Sequence, residues 1–116
     1  MKPCTIEWLT IPAPKFRETI SFYENVFGFL CAEYNDVFWT FKAGNISGGF
    51  DKGLAVNGNG IGFSITVEDM RKTLETIEDH GGKCLREPYS LGSNAGYCAR
   101  FSDPNGNVLE LYSISL

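Results

Sequence analysis

Glu110 lies in the run Val108-Leu109-Glu110-Leu111-Tyr112, whose apolar residues read as a strand, directly after the turn formers Asp103-Pro104-Asn105-Gly106. A carboxylate in such a run can ligate a metal, act as a base or anchor a polar ligand. The other reactive side chains are few. Cys4, Cys31, Cys84 and Cys98 are widely spaced with no C-x-x-C pair, and sequence distance gives no reason to pair any of them with the single histidine. Cys31, Cys84 and Cys98 fall in β-like runs beside apolar residues and read as small core residues. His80 precedes Gly81-Gly82 at the end of a helical pattern, so it reads as a helix terminus complementing the macrodipole. The adjacent carboxylates Glu68 and Asp69 open that helix and suit its positive end, which leaves no separate acid/base pair. Gly58-Asn59-Gly60 precedes a strand and not a helix, so it is no phosphate cradle.

Aromatic residues offer a second kind of chemistry. Trp8, Trp39, Phe63, Tyr97 and Tyr112 all fall on β-like runs, where each is either core or the wall of an apolar ligand site. Residues 89–96, Tyr-Ser-Leu-Gly-Ser-Asn-Ala-Gly, read as a small polar loop, either a plain hairpin connection or a lid.

The elements that must position these groups follow one plan twice. A strand from Cys4 to Ile11 ends at Pro12-Ala13-Pro14, and Phe16, Ile20, Tyr23 and Phe27 then recur with helical spacing up to Gly28. Three β-like runs follow, at 29–34, 37–42 and 45–50. After the glycine-rich connection 53–60, a strand from Ile61 to Val67 leads to Thr66 and Asp69, spaced as in a capping box, and to the apolar face Met70, Leu74 and Ile77. Runs at 83–88, 96–102 and 107–113 complete the second copy. A shift of 54 superposes the two helices, Arg17 on Arg71, Thr19 on Thr73, Glu24 on Glu78 and Gly28 on Gly82. A shift of 62 superposes Gly44-Asn45-Ile46 on Gly106-Asn107-Val108. The order of these matches predicts an α+β domain of two tandem βαβββ modules, residues 4–52 and 61–114.

Composition narrows the function. The chain has 116 residues, 43% of them hydrophobic, enough for a core without disulfides or metal staples. A net charge of -4 with no basic stripe excludes a phosphate-tracking partner, so nucleic acid is not expected. No apolar run reaches the roughly 20 residues of a membrane helix, and the cysteine usage predicts reduced thiols in a cytoplasm.

Phe22-Tyr23-Glu24-Asn25-Val26-Phe27-Gly28-Phe29 and Phe101-Ser102-Asp103-Pro104-Asn105-Gly106-Asn107-Val108-Leu109-Glu110-Leu111 resemble the first-helix ending and the last hairpin of the vicinal oxygen chelate superfamily. That group includes glyoxalase I, bleomycin and fosfomycin resistance proteins and extradiol dioxygenases. The resemblance implies that the two modules curl their sheets around a cleft, that the protein is a homodimer, and that enzymatic members hold a divalent metal through His or Glu on the first and last strand of each module. Carried onto this chain, the four positions are Glu110, Gly62, Gly48 and either Trp8 or Ile6. Only Glu110 can bind a metal, and a one-residue misregister at the start would add just Glu7. Two carboxylates do not hold a transition metal tightly.

The expectation is therefore a protein without a cofactor that binds a small organic molecule, cationic or aromatic, with Glu110 as polar anchor and Trp8, Trp39, Phe63, Tyr97 and Tyr112 as candidate walls. One rival is a glyoxalase-like lyase, isomerase or dioxygenase using Glu110 as base or metal ligand. Another is an accessory domain with a vestigial cleft. Elemental analysis of purified protein tests the metal expectation: well below one Ni, Zn, Fe or Mn per chain is predicted, and about one per chain would overturn it.

Overall fold

In the computed structural model, the described residues are 6–56 and 62–116. Cys4, Ile61 and the Gly58-Asn59-Gly60 segment lie outside them. The chain divides into two compact units between Ala55 and Val56. Each unit is one βαβββ module, in order β1 (Trp8–Pro12), α1 (Phe16–Phe27), β2 (Leu30–Glu33), β3 (Phe38–Ala43), β4 (Ile46–Asp51), then β5 (Ser64–Thr66), α2 (Met70–Asp79), β6 (Lys83–Ser90), β7 (Tyr97–Ser102) and β8 (Val108–Ser113). The sheets run β1-β4-β3-β2 and β5-β8-β7-β6, with the β1–β4 and β5–β8 pairs parallel and the rest antiparallel.

α1 forms where the apolar spacing predicts. Phe16, Ile20 and Tyr23 are buried, as is Phe22, whose ring meets Tyr23 edge-on at 5.1 Å. Gly28 ends the helix at φ 69°, where its N–H donates to the Glu24 carbonyl at 3.1 Å and the N–H of Phe29 donates to the Tyr23 carbonyl at 3.2 Å. The first unit's core is a cluster of rings. Tyr23, Phe29, Phe41 and Phe50 lie 4.9 to 5.2 Å from their neighbours. α2 buries Met70, Leu74 and Ile77 as expected, but its start differs from the predicted capping box. Thr66 ends β5, and Asp69 alone caps the helix through the N–H of Lys72 at 3.0 Å. His80 is the C-terminal cap residue, its Nδ1 2.9 Å from the Thr76 carbonyl oxygen.

The turn before β8 is held by a buried carboxylate. Asp103 Oδ1 accepts from the N–H groups of Asn105 and Asn107 at 2.9 and 3.0 Å, and its Oδ2 accepts from Asn107 Nδ2 at 2.8 Å. Gly106 supplies the positive φ of 97° that the turn requires. This fixes Val108 opposite Ser102, and therefore Glu110 opposite Arg100. The predicted loop 89–96 is shorter than expected, because Tyr89 and Ser90 belong to β6 and only 91–96 connect the strands.

β4 departs from β8 in a way that the shift of 62 does not reveal. That shift pairs Glu110 with Gly48, yet Gly48 lies on the helix side, where an added Cβ would strike the Leu9 carbonyl and the Phe41 ring. The counterpart of Glu110 on the face away from the helix is Gly49: the ladder Thr10–Gly49 corresponds to Ser64–Glu110. Over Gly49 lies the ring of Phe38, which also stacks on Trp8 at 6.3 Å and 10°. The first module fills with aromatic rings the space where the second holds a carboxylate.

Substituting these glycines gives an ordered outcome. Gly48→Ala meets backbone and is expected to lose about 3 kcal/mol, whereas Gly49→Ala meets a ring end that can swing aside and should lose about 1 kcal/mol. Urea unfolding checks this, and equal losses would contradict the face assignment.

Candidate functional site

Strand alternation sorts the candidate residues. Leu109, Leu111 and Ser113 are buried on the helix side of β8, while Val108, Glu110 and Tyr112 are half-buried on the opposite, open face. Directly paired residues share a face, so the open face of the second sheet carries two rows across its strands. One row is Arg86, Arg100, Glu110, Ser64; the next is Tyr89, Cys98, Tyr112, Thr66.

Two irregularities in β6 build these rows. The register shifts between Cys84 and Arg86 and again between Arg86 and Tyr89. A bulge re-aims the residue that follows it, so Arg86 and Tyr89 share a face although three residues apart. Pro88 fits there because β6 is an edge strand.

Glu110 is held from two directions. Its backbone N–H donates to the Phe63 carbonyl at 3.0 Å, and its Oε2 accepts from the Cys98 thiol at 3.3 Å. Burial pushes the Cys98 thiol up from its ordinary pKa; the Tyr89 hydroxyl opposes this by hydrogen bonding, and the Glu110 carboxylate adds to it. The Tyr89 hydroxyl is raised in turn, chiefly by its hydrogen bond with Cys98. Arg86 lies over the Tyr89 ring, its Cζ 3.6 Å from the centroid. Guanidinium, phenol, thiol and carboxylate thus form one connected group. Tyr112 does something else: its hydroxyl donates to the Ala95 carbonyl at 2.9 Å and passes over Gly96, where a Cβ would lie 2.6 Å from it. It tethers the 91–96 connection to the face.

Of the six predicted site residues, Glu110 and Tyr112 lie on this open face, and Trp8 lies on the open face of the first sheet, with its Nε1 donating to Thr10 at 3.1 Å. The other three belong to helix sides. Trp39 meets the α1 residue Phe16 edge-on at 6.4 Å and lies under the Arg17 guanidinium at 5.5 Å. Tyr97 pairs with buried Ser113 and shares the side of Ala99 and Phe101, while Phe63 alternates away from Ser64. Cys98, Tyr89, Arg86 and Arg100 are the residues that sequence reasoning missed. A signal existed for one: Cys98 has the parity of Arg100, which cannot face a helix, and not that of Phe101. Cys31 does lie on the helix side opposite Phe41, its thiol pushed up to about 11 by burial and then by Glu24.

The donor set does not suit a resident transition metal. The residue across from Glu110 is Ser64, with Gly62 two places earlier; their counterparts in the first module are Thr10 and Trp8, and Gly49 stands where the second carboxylate would be. None offers an imidazole or carboxylate. Among the described residues no three His, Cys, Asp or Glu side chains converge for a metal ion. On the helix side, α2 and β6 border an open groove of about 490 Å³ lined by Glu75, Glu78, Asp79 and Glu87 with Arg71, away from the Glu110 group.

Comparison with known proteins agrees with this architecture. Residues 5–111 match the family model of the Glyoxalase/Bleomycin resistance protein/Dioxygenase superfamily. A glyoxylase-like domain-containing protein of Didymella fabae is 31% identical over 113 residues, covering 89% of this chain and 88% of that one. A probable lactoylglutathione lyase of Synechocystis is 39% identical over 59 residues, and the match spans 50% of this chain but only 45% of that protein. Among solved structures, a glyoxalase/bleomycin resistance protein/dioxygenase family enzyme from Burkholderia phytofirmans superposes with a TM-score of 0.80 at 19% identity, covering 93% and 97% of the two chains. The fosfomycin resistance protein of Mesorhizobium loti superposes at 0.75 with 17% identity over 97% and 93%. Two βαβββ modules, the closing hairpin with its glutamate and a family match along nearly the whole length lead to one assignment: the chain belongs to the glyoxalase/bleomycin resistance protein/dioxygenase superfamily.

Proposed function

We propose that the chain is a metal-independent small-molecule-binding protein in which the open face of the second sheet receives the ligand and Glu110 is its polar anchor. The observation that carries this reading is the state of that carboxylate. It is half-buried on a polar face, and its side-chain partner among the described residues is a thiol, a weak donor, so most of its acceptor capacity is left for a ligand. A cationic or hydroxyl-bearing centre satisfies it best. On the open face of the first sheet, taken by itself, Trp8 stacks on Phe38 and is half-exposed, an indole face for a planar group. Trp39, Phe63 and Tyr97 take no part. A homodimer in a cytoplasmic setting completes the reading.

One observation favours a second reading, an enzyme of the lyase or isomerase kind with Glu110 as base. Cys98 and Glu110 are within hydrogen-bonding reach, the arrangement of a nucleophile beside a base. The name of the Synechocystis relative, a probable lactoylglutathione lyase, points the same way.

Two outcomes are expected. Thermal shift with ethidium, a planar aromatic cation, should stabilise the wild type, and Glu110→Gln should weaken binding about tenfold while changing the unfolding free energy by less than about 1 kcal/mol. A large loss of stability would instead make Glu110 a structural carboxylate. For the thiol, the sign follows from its neighbours. Removing the carboxylate in Glu110→Gln should move the midpoint of Cys98 alkylation by iodoacetamide to lower pH, and Tyr89→Phe should move it to higher pH. Peptide mass spectrometry reads both, and coincident profiles would contradict the contact.

A further inference from the structure

Two arginines occupy an unfavourable arrangement on the open face of the second sheet. Arg86 and Arg100 are direct cross-strand partners, and Arg100 is in turn the direct partner of Glu110. Like charges directly opposite one another cost stability, and a single ladder step is only about 4.8 Å. Moreover, Arg86 reaches this position only through the bulge after Cys84, since regular alternation from Cys84, across from buried Phe101, would turn residue 86 to the helix side. The Tyr89 ring lies beneath its guanidinium, the Cζ 3.6 Å from the ring centroid, which restrains that side chain on the open face. The bulge thus sets two arginines on adjacent strands of one face, and their guanidinium forks suit a carboxylate.

We infer that Arg86 and Arg100 form an anion subsite for a small carboxylate, one ladder step from the cation-accepting Glu110, so that the preferred ligand carries both charges. This rests on Glu110 being the anchor, and it refines the ligand from a cation to a zwitterion whose anionic and cationic ends lie about 5 Å apart. The anion offsets the repulsion between the arginines, and the cation pairs with Glu110. An acidic protein with a net charge of -4 draws cations toward its surface in general, so an anion would be held by this local pair and not by the overall field.

The test uses three probes on the full chain followed by backbone amide resonances: γ-aminobutyrate, butyrate and butylamine. γ-Aminobutyrate should bind with the tightest of the three constants, in the millimolar range, and shift the amides of residues 86, 100 and 110. Arg100→Gln and Arg86→Gln should each weaken butyrate at least about fivefold without weakening butylamine, while Glu110→Gln should weaken butylamine without weakening butyrate. Added salt should weaken all three. Circular dichroism and unchanged remote resonances establish that each variant is folded. Butyrate binding that is absent, or insensitive to both arginine variants, overturns the anion subsite. If butylamine still binds through Glu110 in that case, the anchor reading stands alone. Loss of butylamine sensitivity to Glu110→Gln, with butyrate still held by the arginines, removes the anchor, and with it the zwitterion, but leaves an anion site.

Discussion

The period-two alternation of β8 is the constraint on which the site depends. Leu109, Leu111 and Ser113 must lie beneath the sheet against the helix side, so Glu110 and Tyr112 must lie above it. A slip of one residue would bury the carboxylate among apolar side chains, at a cost of several kcal/mol unless it were protonated or paired. The register is pinned at its origin by Asp103, whose carboxylate gathers the N–H groups of the turn and the side chain of Asn107. An ordinary-looking Asp-Pro-Asn-Gly turn is thus what aims Glu110 at the open face and sets it beside Arg100.

The same module appears twice and serves different chemistry each time. In the second unit the open face holds charged and titratable groups, with Cys98, Tyr89 and Arg86 linked to Glu110. In the first unit the equivalent ground is Gly49, roofed by Phe38 and flanked by Trp8. Both uses are compatible with one backbone because the helix side alone carries the core. Aromatic clustering in one module and Met70, Leu74 and Ile77 in the other satisfy that requirement separately. The open faces stand outside that requirement and are free to vary, which accounts for family membership fixing the fold while saying little about the ligand.

Much of this was legible in the sequence. The helical spacings, the order of strands, the duplication and the facing of Glu110 all rest on local periodicities, and these survive folding. Where the structure departs from these periodicities, the causes are physical too. Residue type alone groups Trp39, Phe63 and Tyr97 with the other strand aromatics, whereas parity with Phe41, Ile65 and Phe101 puts them on helix sides. Arg86 and Tyr89 were unreadable, because two bulges break the parity of β6 and no spacing announces a bulge. Gly48 and Gly49 cannot be told apart by an ungapped shift; only the parallel pairing with β1 decides which one replaces a carboxylate. Cys98 reads as core by its residue type, and it is buried, but on the opposite side of the sheet from the helix-side core.

The central claim is that Glu110 meets an organic ligand and not a resident metal. It is tested most directly by a crystal structure of the protein grown with both zinc and γ-aminobutyrate, with data collected across the zinc absorption edge. Organic density against Glu110, with the ligand carboxylate toward Arg100, and no anomalous peak at that position are expected. A zinc peak ligated by Glu110 would contradict the claim.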